Sequence, residues 1–379
     1  MLISPFGLSQ SLMFLKRCEL IRSCCAGLAV SMLLFNTVAL PCLLYVSQLF
    51  KPPVQVVDAV HDAVLRIIPA PFRWTSYAVL ANLTKVLPFP VSLYDFEVLA
   101  LAVKARVIFS TGSCFTMRNQ LNLVDDLFLR NWYLNSSWFA MSSAFQLLTD
   151  YKVVKGPRFL VPELANKTQN LDKPFKTQTI LYKYLHDTIF KFDPAQDIVK
   201  RLKRWRLDRC PCLWRAVLRT SSRLRNLNLS PKFLSAVFLT WMNAWCTSRR
   251  FQGVHGRCRF CKIWTTSDDI EHFAQCPLLK ALLANFFNLS KTHTKEQFFI
   301  LADEAPEVLF IRIVHLYCCK SMFDYSRHNE GQDWPIIYRA MVYKAIRQQK
   351  VPATVQVNFA VPESFYTNLR NCGYLQIAY

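Results

Sequence analysis

Glycine and acidic side chains are scarce in this sequence. Eight glycines in 379 residues leave no glycine-rich loop of the kind that cradles phosphates, which sets aside the common nucleotide-binding motifs. Twenty-five Asp and Glu stand against 46 Lys and Arg, a formal net charge of +21, so the surface potential favours polyanions such as nucleic acid or an anionic membrane face. No endonuclease-like set of acids and histidines stands out. His61-Asp62 and His186-Asp187 are neighbours in sequence, which reads as two surface pairs and not as catalytic dyads. Internal repeats and sustained period-two strand patterns are also missing. The fourteen cysteines, several in adjacent pairs (Cys24-Cys25, Cys318-Cys319), lack the spaced framework of a small secreted domain, and most read as reduced core residues.

Charge is absent altogether from Ser23 to Phe50, "SCCAGLAVSMLLFNTVALPCLLYVSQLF". That length can span a bilayer, with Arg17, Arg22 and Lys51 as flanks and no small-residue cleavage site of the secretory kind. Asn36, Thr37, Pro41, Ser47 and Gln48 interrupt the run, however, and a buried helix pair broken near Asn36 to Pro41 explains the same letters.

What is present is apolar content, 52% of residues, enough for a substantial core. Helical spacing dominates. "VQVVDAVHDAVLRII" places Val57, Val60, Val64, Ile67 and Ile68 on one helix face, and residues 93–108 and 120–134 read as two further helices. After them, prolines at 157, 162 and 174 mark a linker-like stretch. Helices follow again at "LLKALLANFFNLS", "PEVLFIRIVHLYCCKSMFDYSRH" and "DWPIIYRAMVYKAIRQQ". The architecture reads as mainly α: a helical region over 1–150, a linker over 151–198, a basic helical region over 199–345 and an irregular tail over 346–379.

Between Lys200 and Arg225 there are ten Lys or Arg and one acid, Asp208. A solvated amphipathic helix pair is the bland account of such a run. So few carboxylates nearby make a phosphate backbone the natural counterion, through Lys200, Arg201, Lys203, Arg204, Arg206 and Arg209, with Trp205 available to stack on an unpaired base.

Three cysteines and a histidine crowd into "CRFCKIWTTSDDIEHFAQCP". A C-x2-C turn points two thiolates at one spot, and His272 and Cys276, four apart, share a face if helical. Cys258, Cys261, His272 and Cys276 therefore form a CCHC zinc-knuckle pattern, with "TTSDD" as turn and helix N-cap. His255 and Cys246 are the competing ligands. With four protein ligands the zinc site is closed and structural.

This cluster, with an acid before the histidine and a proline after the last cysteine, resembles the C-terminal zinc-binding region of reverse transcriptases from non-LTR (LINE-type) retrotransposons. The family more often has four residues between the histidine and last cysteine, against three here, a difference of loop geometry and not of ligand type. "LFNTVALPCLLYVSQLFKPP" (34–53) and "VLRIIPAPFRW" (64–74) resemble the segment downstream of the polymerase palm. The resemblance spans about residues 20–345 and implies a thumb-like helical bundle, with the 23–50 run as buried helices.

The family's catalytic carboxylates lie before the thumb, so the implied product is a non-catalytic remnant or truncated reverse transcriptase, binding RNA or DNA and set beside an intact retrotransposon polymerase in the nucleus or cytoplasm. Two alternatives stay open. One is a membrane-associated protein with a single span over 23–50 and a basic cytosolic domain. The other is an active polymerase using the paired Asp125 and Asp126 of "LNLVDDLFL".

Overall fold

The valines of "VQVVDAVHDAVLRI" become the Val54–Ile67 helix, with Val57, Val60, Val64 and Ile67 buried. The structure is a computed structural model that describes residues 8–68, 70–71, 74–110, 144, 146–152, 154–155, 158–159, 174–207, 212–248, 257–263, 268–290, 293–329, 333–349, 352 and 354–359. These residues are mainly helical. One two-residue hairpin, pairing Val154 with Phe159 and Lys155 with Arg158, is the strand pairing among them. The helix expected over 120–134 lies outside the described residues.

Proline starts helices and asparagine ends them. Pro194, Pro231, Pro277, Pro306 and Pro335 occupy first or second helical positions, where a missing N–H costs no helical hydrogen bond. Past the helices Leu213–Asn226, Pro231–Trp241 and Pro277–Phe287, the left-handed positions are taken by Asn228, Asn243 and Asn288, with φ of 43°, 54° and 52°. In a glycine-poor chain, asparagine is the next residue that tolerates this conformation. Aspartate sets one start later than the spacing suggests. Asp95 accepts from the Glu97 and Val98 N–H groups, both at 3.1 Å, so the helix expected from 93 runs Phe96–Ser110.

The uncharged N-terminal run is not broken near Asn36 to Pro41. Helix Leu28–Ser47 is continuous, with a π-turn at Phe35–Ala39 that takes up the missing N–H of Pro41. The widened turn is held from outside. Arg17 donates to the Val38 carbonyl at 2.7 Å, while Asn36 donates to the Ser92 carbonyl at 2.7 Å and accepts from the Tyr94 N–H at 3.1 Å. This helix has the length and composition to cross a membrane, and 44% of its apolar window is buried inside the protein.

One continuous core runs from Phe14 to Ala345. The Leu28–Leu34 segment packs on helix Pro231–Trp241, and Trp74 meets Phe238 edge to face at 5.4 Å. Helix Pro194–Leu202 packs on both Tyr77–Ala81 and Leu213–Asn226, so the core is not interrupted between the regions expected to lie on either side of 151–198. The last helix, Trp334–Arg347, extends two residues into the expected tail. Beyond it, Val355, Val357 and Phe359 pack on the core, and the Asn358 N–H donates to the Phe286 carbonyl at 2.8 Å.

Two buried histidines sit in this core. His293 Nε2 donates to the Ala274 carbonyl at 2.8 Å, and its Nδ1 has no partner among the described residues. His315 Nδ1 lies 2.7 Å from the Tyr338 hydroxyl, and Cys319 Sγ lies 3.4 Å from its Nε2. Burial first, then Arg312 nearby, lowers His293 from 6.5 to about 4. The unfolded chain takes up this proton as pH falls through 6.5 and the folded chain does not until about 4. Stability is therefore complete above pH 6.5 and declines toward pH 4, by roughly 3 kcal/mol from this residue. Urea midpoints at pH 7 and 4.5 should fall less in His293→Gln than in wild type, and parallel losses would contradict the assignment.

Candidate metal centre

Two short segments bring the ligands together. In the first, the Lys262 N–H donates to the Cys258 carbonyl at 3.0 Å, closing a turn in which Lys262 adopts a left-handed φ of 53°. Cys258 and Cys261 thereby face one point. In the second, Asp269 caps helix Ile270–Phe273 by accepting from the His272 N–H at 2.7 Å, so the cap fixes the residue that carries the imidazole. Pro277 does not kink this helix. It starts the next one, Pro277–Phe287, with Cys276 at the N-cap, where the helix dipole favours a thiolate.

The ligand atoms of Cys258, Cys261, His272 and Cys276 lie within 4.8 Å of one another, and the four can hold a metal ion. Cys261 Sγ is 3.3 Å from His272 Nε2. All three cysteines are buried and His272 is half-buried. Burial pushes the Cys258 and Cys276 thiols up, while hydrogen bonds from Cys258 and Cys276, with His272 beside them, hold Cys261 well below the ordinary thiol range. Buried thiols this close resist ionising together, and a metal ion would let all three do so.

The shell around the ligands is built by residues that spacing did not single out. Asp268, 1% exposed at its side chain, accepts from the Ser248 N–H at 3.0 Å and hydroxyl at 2.7 Å, and meets Arg259 Nε at 3.5 Å. Arg259 also donates to the Ser326 carbonyl at 3.2 Å. Of the two aspartates in "TTSDD", one caps the helix and its neighbour anchors the knuckle arginine. Phe260, between the first two cysteines, packs on Phe273 at 5.2 Å and Trp334 at 5.5 Å. Cys246 is half-buried and stands apart from the cluster, and His255 lies outside the described residues.

The basic run divides. Helix Pro194–Leu202 buries Ala195, Ile198 and Leu202 and leaves Lys200 exposed, with Arg201 half-buried. A 3-10 turn at Lys203–Trp205 and a left-handed Arg206 (φ 47°) then put Lys203, Arg204 and Arg206 on the surface. None of these five forms an ion pair with a described carboxylate, and burial together with Arg204 lowers Arg201. Trp205 corrects the stacking expectation. The tight turn rotates it inward, where it is 6% exposed and lies 5.5 Å from Phe299, so it cannot receive a base. On helix Leu213–Asn226, Arg219 and Arg223 bind Asp303, at 2.8 and 3.2 Å, and Arg225 donates to the Lys85 carbonyl. Arg209, Asp208, Asp125 and Asp126 lie outside the described residues. The two His-Asp neighbours also differ from surface pairs, because His61 stacks on Tyr77 at 4.1 Å and His186 is buried, 3.1 Å from Asp187.

Comparison with protein-family models, curated proteins and solved structures finds no match to this chain.

The Asp269 cap yields a direct test. Asp269→Ala should keep the ligand set but weaken metal affinity about tenfold, by analogy with losses at groups that orient metal ligands. Chelator competition measures this, and an unchanged affinity would show that the cap does not position His272.

Proposed function

We propose that this chain is a nucleic-acid-binding protein akin to the thumb and C-terminal region of LINE-type reverse transcriptases, whose basic helical region is held by one structural zinc ion. The observation that carries the reading is the closed cluster of three sulfurs and one imidazole within 4.8 Å. Tetrahedral zinc with bonds of about 2.3 Å places its sulfur ligands roughly 3.8 Å apart, so contraction of about 1 Å at most brings the four atoms to the ion. Four protein ligands leave no open position for a reacting water, which suits a structural role. The Lys262 turn and the Asp269 cap are the devices that preorganise it.

Nucleic acid is the partner that the surface suits. Lys200, Lys203, Arg204 and Arg206 are exposed and unpaired among the described residues, and Arg201 stands beside them. Phosphates are the counterions this surface lacks, and contacts of that kind bind RNA or DNA with little regard to sequence. With Trp205 packed inside, the grip is electrostatic and not a stacking one. An intact retrotransposon polymerase is the protein partner that the reading implies, in the nucleus or cytoplasm.

Anisotropy titrations of a labelled single-stranded RNA across a salt series test this. Replacing Lys200, Lys203, Arg204 and Arg206 together by Gln should weaken binding to all sequences alike and reduce the log–log salt slope by about 3, near 0.7 per lost contact. Unchanged affinity and slope would refute the assignment.

A second reading rests on helix Leu28–Ser47, long and apolar enough to cross a bilayer. It makes the chain a membrane-associated protein with a basic cytosolic domain. A carbonate-resistant membrane fraction that depends on this helix would favour it, and full extraction would exclude it.

A further inference from the structure

Helix Phe96–Ser110 carries three stripes at helical spacing. Phe96, Leu99 and Val103 face the main core, and Val98, Ala102 and Ala105 face a smaller cluster with Leu148, Leu181 and Leu185. The third stripe, Glu97, Leu101 and Lys104, lines a cavity of about 420 Å3 whose walls include Val57, Tyr151 and Phe190. Two stripes are accounted for by packing. The third presents an amine to an apolar space.

Lys104 is 4% exposed, and its amine makes no hydrogen bond or ion pair with a described residue. Glu97 lies two helical turns away, about 10 Å along the axis, and does not pair with it. Lys51 also lines the cavity and repels it. A permanently charged ammonium here would give up hydration without gaining a partner. Burial first, then Lys51, accordingly lowers Lys104 from 10.5 to about 8. Among the described residues, the titratable side chains on the cavity wall are Lys51, Glu97, Lys104 and Tyr151.

We propose that Lys104 is a nucleophilic amine presented to this cavity, which admits small apolar carbonyl compounds and condenses with them to an imine. The neutral nitrogen adds its lone pair to the carbonyl carbon and a C–N bond forms. Proton transfer from nitrogen to oxygen gives a carbinolamine, and loss of water leaves the C=N bond. One aldehyde or ketone and one amine become one imine and one water, with no change of oxidation state. A desolvated lysine beside a second cation is a general device for keeping an amine reactive near neutral pH. The metal centre has no part in this step.

The test treats the whole chain with propionaldehyde and cyanoborohydride, which traps an imine as a stable alkylamine, followed by peptide mass mapping. Lys104 should react roughly tenfold or more faster at pH 7 than exposed Lys200 and Lys203, with a rate that levels off just above pH 8, since each pH unit changes the free-amine fraction about tenfold. In Lys51→Gln, an exposed position, the pH midpoint at Lys104 should move upward. Reaction at Lys104 no faster than at the exposed lysines, or with their pH dependence, would overturn the proposal.

Discussion

Three buried thiols and an imidazole within 4.8 Å cannot all take their ligand state unless positive charge sits among them. Each thiolate in such a place needs a counter-charge, and burial raises Cys258 and Cys276. That constraint governs the region around it. Between Arg257 and Cys276 the described chain forms one tight turn and one four-residue helix, and short segments of this kind gain little from backbone hydrogen bonds alone. A metal ion held by the four ligands would cross-link them, while Phe260 and Phe273 pack the same two segments into the aromatic core at Trp245, Phe323 and Trp334. Ligands above and rings below therefore depend on one register of the knuckle against the helix.

The shortage of acids shapes the rest of the surface. Where the fold needs a cation held, it uses a carboxylate or a carbonyl: Asp303 for Arg219 and Arg223, Glu304 for Arg312, and the Lys85 carbonyl for Arg225. Few carboxylates remain for the cations at 200–206. They stand together on a helix end and a tight turn whose apolar side is anchored by Ile198, Leu202 and Trp205. A rigid support beneath a group of like charges fits a surface that meets a polyanion, because little order has to be gained on contact. Buried Lys104 meets the same shortage differently, with a pKa lowered by its burial beside a largely apolar cavity.

Much of this was legible in the letters, and the failures have physical causes. Helical periodicity located the helices at 54–67, 277–287, 306–326 and 334–347 because each has an apolar face that must be covered. Ligand spacing located the cluster because a C-x2-C turn leaves its sulfurs few other arrangements. Several readings went astray. Pro41 suggested a break, but a π-turn absorbs a missing N–H without ending a helix when Arg17 and Asn36 brace it from outside. Trp205, set among cations, suggested a stacking platform, yet a one-turn change from α to 3-10 geometry moved it to the buried side. The burial of Asp268 and Lys104 was not legible for a shared reason: it depends on what packs over a charged residue, and spacing carries no record of that.

The central claim is that the four ligands hold one structural zinc ion, and elemental analysis of the purified chain tests it most directly. The account predicts about one zinc per folded wild-type chain and none in Cys261→Ser, with the variant less stable or less helical. Well-folded wild type without metal, or a Cys261→Ser protein that retains a full equivalent, would contradict it.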